Sequence, residues 1–321
     1  MKVLFVVSAN KEFGMSPFVK SQGESLVNNG VNIDYYLIDK GGIKGYLSHI
    51  KLLKEKIKSN SYNVIHAHYT YSGWVSLLTN TKTPKLVSFM GADVYGSVNA
   101  NGKKNIKAYF NYTLSKLIQP FIGHIIAKSK HLQSYIYIKK KSSVIPNGVN
   151  FKKYKIIPQE EARNTLNINP IKKQILFLGN KKNPRKNYKL LEKAFEVIKD
   201  ENVELMDINY PIKPDLVPTY INASDVVILT SYLEGSPNVI KEAMACSCPI
   251  VSVDVGDVKE VISNTKGCYI SKYEYKDLAD KILKAITFKG KTTGRVDVKH
   301  LEINNIAKKI INIYDDLQNK K

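Results

Sequence analysis

Short apolar runs alternate with amphipathic stretches along the whole 321-residue chain, and this alternation restricts the fold more than any other feature. Each run is typical of a buried strand, and the stretches between them have helical spacing. Strands joined by helices predict a parallel β-sheet, because parallel neighbours need a long crossover connection. The predicted strands are Val3–Val7, Ile33–Leu37, Val64–His66, Leu86–Phe89, His124–Ala127, Gln174–Leu178, Val203–Met206, Asp225–Leu229, Ile250–Val253 and Cys268–Ile270.

The strands fall into two series, separated by the turn signal Pro146-Asn147-Gly148. A chain of this length also favours two domains over one. We therefore predict an α/β protein with one domain over residues 1–150 and a second over 151–300. Apolar residues at helical spacing in 301–321 predict a final helix. Ligands of parallel sheets bind at the carboxyl ends of the strands. Two such domains could therefore bring two ligands together, the donor of a chemical group and its acceptor.

Composition limits the compartment and the partners. No run of 18 or more apolar residues suggests a membrane span, and Met1–Ser8 lacks the features of a signal peptide. The cysteines Cys246, Cys248 and Cys268 lack zinc-site spacing and are interpreted as reduced thiols of a cytosolic protein. Residues 1–150 hold 20 Lys and six acidic residues, which is +14 of the formal net charge of +21. This excess predicts an anionic partner, although a lysine-rich coding bias would produce the same count.

Two basic and aromatic segments of the first half are candidates for contact with a lipid headgroup surface. In one, Lys103, Lys104 and Lys107 stand beside Tyr109, Phe110 and Tyr112. The other is Tyr135–Lys141. Both predict that the first half faces an anionic membrane.

A pair of glutamates in the second half frames the best candidate site. The predicted strand Asp225–Leu229 leads to a loop with Glu234, and Ser236-Pro237 reads as a helix cap followed by the first helical residue. The first N–H groups of this helix, from Asn238 and Val239 onward, would bind an anion such as a diphosphate. Glu242 is four residues after Asn238 and shares its helix face.

The segment Tyr232–Cys246 resembles the signature of the family 4 retaining glycosyltransferases, in which two glutamates with seven residues between them lie inside Glu-Gly-x-Pro-x-x-x-x-Glu-Ala-Met-Ala. Cys248–Asp257 is also similar to that family. The resemblance implies the GT-B fold, with two Rossmann-like, doubly wound domains facing a central cleft and a last helix that returns to the first domain. It implies retaining transfer of a sugar from a UDP- or GDP-sugar to a lipid-linked or polysaccharide acceptor.

The resemblance also assigns roles to residues of the second half. Glu242 would bind the nucleotide ribose, while Glu234 and Asn238 would bind the donor sugar. Lys186 matches the lysine that contacts the phosphates. Relatives often have an arginine directly after the glycine of this loop, where this chain has Asn180, and we expect the nearby Arg185 to take over part of its role. Apart from the resemblance, Asn209 follows a predicted strand and is a candidate contact of the nucleotide base, and Ser236 and Val239 at the helix start complete the donor set.

Candidate residues of the first half lie at the ends of predicted strands. Gly14 follows the first strand and would let the backbone approach the diphosphate or the acceptor. His68 ends another strand and is a candidate for the acceptor side. Asp93 could orient an acceptor hydroxyl, in a segment where the family commonly has a histidine at the position of Met90.

Several expectations concern what the protein does without. An Asp-x-Asp metal motif is missing, so we expect no metal or other cofactor, with cations and helix amides stabilising the leaving diphosphate. Nucleic acid is not expected as a partner. The predicted location is cytoplasmic, peripheral at the inner face of the cell membrane. Two alternatives stay open: a GT-B sugar-nucleotide epimerase, and a polyanion-binding protein without catalysis.

Overall fold

The computed structural model describes residues 1–9, 14–96, 98, 99, 101–206, 208 and 211–319. The chain divides into two compact units. The first comprises Met1–Ser97, Lys104–Gly148 and Ile303–Lys321, and the second comprises Val98–Lys103 and Val149–Glu302. Each unit contains one parallel sheet with helical connections, which confirms the predicted α/β class.

The first unit is built on a six-stranded parallel sheet with the strand order β2-β1-β3-β4-β5-β6. Its strands are β1 (Lys2–Ser8), β2 (Asn32–Ile38), β3 (Val64–His68), β4 (Lys85–Phe89), β5 (His124–Ala127) and β6 (Ser142–Val144). Its helices before residue 149 are α1 (Pro17–Val27), α2 (Gly42–Lys58), α3 (Thr70–Leu78), α4 (Ala92–Tyr95), α5 (Ile106–Leu117) and α6 (Lys130–Gln133).

The second unit is built on a five-stranded parallel sheet with the strand order β11-β10-β9-β7-β8. Its strands are β7 (Lys173–Phe177), β8 (Val203–Leu205), β9 (Val226–Leu229), β10 (Ile250–Val253) and β11 (Cys268–Ser271). Its helices are α7 (Gln159–Leu166), α8 (Tyr188–Val197), α9 (Val217–Ala223), α10 (Asn238–Ala245), α11 (Val258–Ile262), α12 (Tyr275–Ile286) and α13 (Gly294–Asp297).

Each of the ten predicted strands is present within a few residues of its expected bounds. Strands such as β1 and β9 are buried almost throughout, because helices cover both faces of a parallel sheet. Strand β6 was not predicted; it is a three-residue edge strand whose residues are only partly buried. Its two serines lack the apolar run that revealed the other strands.

The last helix, α14 (Ile303–Asn319), belongs to the first unit and packs on α1 and β3. It buries one apolar stripe, which includes Ile306, Ile310 and Leu317. Tyr314 is also on this face, and its hydroxyl lies 2.6 Å from Nδ1 of the buried His66. A polar contact inside an apolar interface fixes the register of the helix on the sheet.

Neither Ser16 nor Ser236, each followed by a proline before a helix, caps that helix with its side chain. Ser16 precedes α1, with proline in the first turn, but its hydroxyl makes no capping hydrogen bond. Helix α10 begins at Asn238, one residue later than expected, and Pro237 occupies the capping position. The Ser236 hydroxyl donates instead to Asp257, because that carboxylate lies within 2.6 Å.

Candidate functional site

The loops after β7 and β9 meet at the carboxyl end of the second sheet. Arg185 and Lys186 lie in a short 3-10 turn, Pro184–Lys186, which follows β7. The Thr230 hydroxyl donates to the carbonyl of Lys186 at 2.9 Å, and the Tyr232 N–H donates to the carbonyl of Arg185 at 2.9 Å. These two hydrogen bonds fix the basic turn against the loop that carries Glu234.

Both cations of the turn bind the same carboxylate. Lys186 Nζ lies 2.7 Å from Glu234 Oε1, and Arg185 Nη1 lies 2.9 Å from Glu234 Oε2. The Glu234 side chain is only 11% exposed. Burial alone would raise its pKa, but the charges of Lys186 and Arg185 hold the pKa below its ordinary value. Glu234 is therefore an ionised group inside a compact cluster of two positive charges and one negative charge.

The structure brings together the residues that the motif predicted around α10. Asn238 and Val239 form its first turn, where the first amides of a helix have no partner within the helix. Glu242 lies further along the same helix, and Tyr154 donates a hydrogen bond to its Oε1 at 2.8 Å. Burial raises the pKa of Glu242, although the hydrogen bond from Tyr154 opposes this shift.

A series of hydrogen bonds between polar side chains lies at the start of α10. Lys241 is almost fully buried and its Nζ donates to the Ser236 hydroxyl at 2.8 Å, which in turn donates to Asp257. Burial lowers the pKa of Lys241 and raises the pKa of Asp257, although each charge opposes the shift of the other. Ser236 is thus held between two charged groups, Lys241 and Asp257, by hydrogen bonds.

Gly256 allows the loop after β10 to approach this segment closely. Its φ of +66° favours glycine, and an added Cβ would lie 3.0 Å from the Gly235 carbonyl oxygen and 3.1 Å from that of Glu234. A larger residue would therefore push the Glu234 loop away from its present position.

Asn180, at the position where the resemblance predicts an arginine, has a local role. Its Oδ1 accepts the Lys182 N–H at 2.9 Å and closes the turn after β7. Arg185 reaches Glu234 and also donates to the Leu233 carbonyl at 2.9 Å. Asn209, the residue assigned to the base, lies outside the described residues.

In the first unit, His68 ends β3 and is buried, with 2% of its surface exposed. Its ring stacks on His66 at 4.3 Å, and neither ring nitrogen has a hydrogen-bond partner among the described residues. Burial, together with the charge of Lys128, lowers the pKa of His68 well below its ordinary value. Tyr69 follows with a φ of +86°, an uncommon backbone conformation for a residue with a side chain.

Asp93 is fully buried and holds the turn after β4. Its two oxygens accept hydrogen bonds from the backbone N–H groups of Thr70, Met90 and Gly91, and from the Thr70 hydroxyl. Burial raises its pKa to about 6, against the effect of these donors. Orientation of an acceptor hydroxyl by Asp93 stays a prediction, since these contacts give the residue a structural role.

Gly14 is exposed, with a φ of +68° and open space where a side chain would lie. Its conformation favours glycine, and no atom of the described residues outside its chain neighbours lies within 4 Å of the position of an added Cβ. A close approach of this backbone to a ligand stays a prediction.

Three residues of the site were not predicted from the sequence, namely Tyr154, Lys241 and Asp257. Tyr154 is 88 positions from Glu242, and no sequence pattern connects them. Asp257 could have been found, because it follows β10 at the carboxyl end of the sheet. Within the described ranges, no group of three or more His, Cys, Asp or Glu side chains is arranged to hold a metal ion.

Comparisons with known families and proteins agree on the class of enzyme. The family described as "Glycosyl transferases group 1" matches residues 208–287, and "Glycosyl transferase 4-like" matches residues 15–121. An uncharacterized glycosyltransferase of Methanocaldococcus jannaschii is 26% identical over 262 residues, which cover 76% of this chain and 71% of that protein. TuaC of Bacillus subtilis is 24% identical over 247 residues, which cover 68% of this chain and 60% of that protein. Its name describes it as a "putative teichuronic acid biosynthesis glycosyltransferase".

Solved structures share the fold over nearly the whole chain. Sucrose-phosphate synthase of Thermosynechococcus elongatus has a TM-score of 0.82 at 18% identity, covering 100% of both chains. HepE of Anabaena, solved in complex with UDP and glucose, has a TM-score of 0.75 at 16% identity, covering 98% of this chain and 100% of that one. The two family matches and the shared fold together support a glycosyltransferase of the GT-B type, similar to group 1 and family 4-like enzymes.

Proposed function

We propose that this glycosyltransferase moves a sugar from a UDP- or GDP-sugar to a hydroxyl of a lipid-linked or polysaccharide acceptor, with retention of the anomeric configuration. The observation that carries the proposal is the convergence of Lys186, Arg185 and Glu234 beside the start of α10. Cations and helix amides at one place suit a diphosphate. HepE, a structural neighbour, was solved with UDP and glucose, which supports a nucleotide-sugar donor.

In this mechanism the bond from the anomeric carbon to the diphosphate oxygen breaks, and a bond to the acceptor oxygen forms on the same face of the sugar. The acceptor proton passes to an oxygen of the leaving diphosphate. Lys186 and Arg185 stabilise the negative charge that develops on that group. Glu234 orients the sugar, and this same-face reaction needs no attack on the sugar by a protein carboxylate.

Glu242 holds the ribose hydroxyls in this proposal, with Tyr154 fixing the orientation of its carboxylate. The fixed cations near the phosphates favour catalysis without a metal ion. Full transfer activity in excess EDTA is expected, whereas a strict requirement for Mn²⁺ would contradict this part of the proposal.

The acceptor is proposed to be a glycan of the cell surface, presented at the cytoplasmic face of the membrane. The provisional role of TuaC in teichuronic acid biosynthesis supports such an acceptor, and the basic first half supports an anionic surface. The part of the chain that the structure describes contains no helix of sufficient length and apolarity to cross a membrane.

The test begins with thermal unfolding in the presence of UDP-, GDP- and ADP-sugars. One donor at 100 times its Kd should stabilise the protein by about 2.7 kcal/mol. Glu242→Ala should remove this stabilisation, while Glu160→Ala, an exposed control on α7, should keep it. Incubation with the selected donor and without an acceptor distinguishes the epimerase alternative, which predicts conversion of the sugar nucleotide itself. Stabilisation by no nucleotide sugar, with binding to polyanions that weakens steeply in salt, would refute the proposal.

A further inference from the structure

Helix α5 has its large apolar side chains on the outside. Ile106 is 86% exposed, and Tyr109, Phe110 and Leu117 are also exposed, whereas the residues it buries are the small Ala108 and Ser115. At 3.6 residues per turn, the four exposed positions lie in one stripe roughly 100° wide. An ordinary surface helix has the opposite arrangement.

The stripe continues onto two neighbouring segments of the first unit. Gln119 follows α5, and its Oε1 accepts the Tyr137 N–H at 3.0 Å. Lys141 Nζ donates to the Pro120 carbonyl at 3.2 Å. These contacts place the exposed side chains of Phe121 and Tyr137 next to the end of α5. Tyr112, which the sequence analysis included in its patch, is instead partly buried under Lys116, whose Nζ lies 4.5 Å from its ring centre.

The charged side chains of α5 and these two segments are all lysines, so the segments carry no negative charge. No Asp or Glu occurs between Asp93 and Glu160, and residues 104–148 contain eight lysines. Lys128 is buried, but Lys107, Lys139 and Lys140 are exposed. Cation–π contacts, such as Lys104 over Tyr135 at 5.3 Å, hold other lysines near the aromatic residues. Exposed apolar groups on segments that carry lysines and no carboxylates match an anionic bilayer, which offers a hydrocarbon interior beneath negative headgroups.

We propose that α5, the segment Gln119–Phe121 and the segment Tyr135–Lys141 form a single surface that inserts Ile106, Tyr109, Phe110, Leu117, Phe121 and Tyr137 into the headgroup region of an anionic lipid bilayer. From Lys104 onward, the two basic segments are thus parts of one surface of the first unit. A second copy of the chain fits poorly here, because a symmetric contact would place lysines against lysines. A role of this surface in presenting a lipid-linked acceptor rests on the proposed function.

The test is sedimentation of the full chain with vesicles of phosphatidylglycerol and phosphatidylcholine, or of phosphatidylcholine alone, without any nucleotide sugar. Binding to the anionic vesicles should exceed binding to the neutral ones and weaken in salt. Ile106→Ser/Phe110→Ser should lower the partition coefficient by more than tenfold, from the lost insertion of two large side chains. Lys139→Gln/Lys140→Gln should lower it by roughly fivefold for each lysine.

Matched controls use exposed residues elsewhere. Ile171→Ser/Val296→Ser removes two exposed apolar side chains of the second unit, and Lys308→Gln/Lys309→Gln removes the same charge from α14. Both should bind vesicles like the wild type. Equal losses of vesicle binding in the variants of this surface and in the control variants would overturn the proposal. Tighter binding to duplex DNA than to the anionic vesicles would also overturn it. Donor-induced thermal stabilisation, measured separately, should be unchanged in every variant, so failure here and failure of the proposed function give different results.

Discussion

The hydrogen bond from Tyr154 to Glu242 gives the sharpest test of the donor site. Tyr154→Phe removes a single hydroxyl and keeps the buried ring. A hydrogen bond to a charged group contributes about 1.5 to 3 kcal/mol, and the carboxylate loses its donor in a partly buried position. We expect the variant to lose about 2 kcal/mol of unfolding free energy at pH 7 and to bind the nucleotide sugar more weakly.

The loss should depend on pH in a defined direction. Burial raises the pKa of Glu242 above its ordinary 4.5, so this residue stabilises the fold below that pH and the stabilisation is lost as the pH rises through the raised pKa. Removing Tyr154 raises that pKa further, because its hydrogen bond favours the ionised form. The variant should therefore lose more stability at pH 7 than at pH 4.

Denaturant unfolding of Tyr154→Phe, Glu242→Gln and the double variant measures the interaction directly. The double variant should be more stable than the sum of the single changes predicts, by at least about 1 kcal/mol. Tyr62→Phe is the matched control, since its hydroxyl donates at 2.7 Å to Asp34, whose side chain is 36% exposed and also paired with Lys2. Strict additivity, or an equal loss in Tyr62→Phe, would refute the reasoning.

Three further predictions concern other parts of the chain. Lys186→Ala should lower the transfer rate about 100-fold, while Lys182→Ala in the same loop should stay within about twofold, as measured by initial rates with the selected donor. Arg163→Met should lower the free energy of unfolding by about 3 to 5 kcal/mol in denaturant, because it leaves the buried Asp225 without its buried partner. Lys173→Met removes the half-exposed partner of the same carboxylate and should lower it by less than about 1 kcal/mol. His66 and His68 are buried, and burial holds their pKa values well below 6.5. The free energy of unfolding should therefore fall as the pH drops below about 6.5, by up to about 1.4 kcal/mol per pH unit for each histidine. In thermal melts, His68→Phe should roughly halve that slope.

The strands were predictable because burial on both faces leaves a continuous apolar run in the sequence, as in β1 and β9. The motif likewise predicted a helix near Pro237 after β9, because the strand and the proline are local signals. Contacts that depend on chain folding were not predictable. Glu234 and Lys186 are 48 positions apart, and sequence reasoning assigned them to one site without indicating that they bind each other. Ser236 was expected to cap α10, but Asp257, 21 positions later, takes its hydroxyl.

The direct pairing of Glu234 with both cations changes how donor binding should be understood under the proposed mechanism. A diphosphate that approaches Lys186 and Arg185 exchanges one anionic partner for another, so the ground state gains less than two new ion pairs would provide. Negative charge on the diphosphate increases as its bond to the sugar breaks, whereas the charge of Glu234 does not change. The exchange therefore favours the diphosphate most strongly in the transition state, which is the condition for an interaction to raise the rate as well as the affinity.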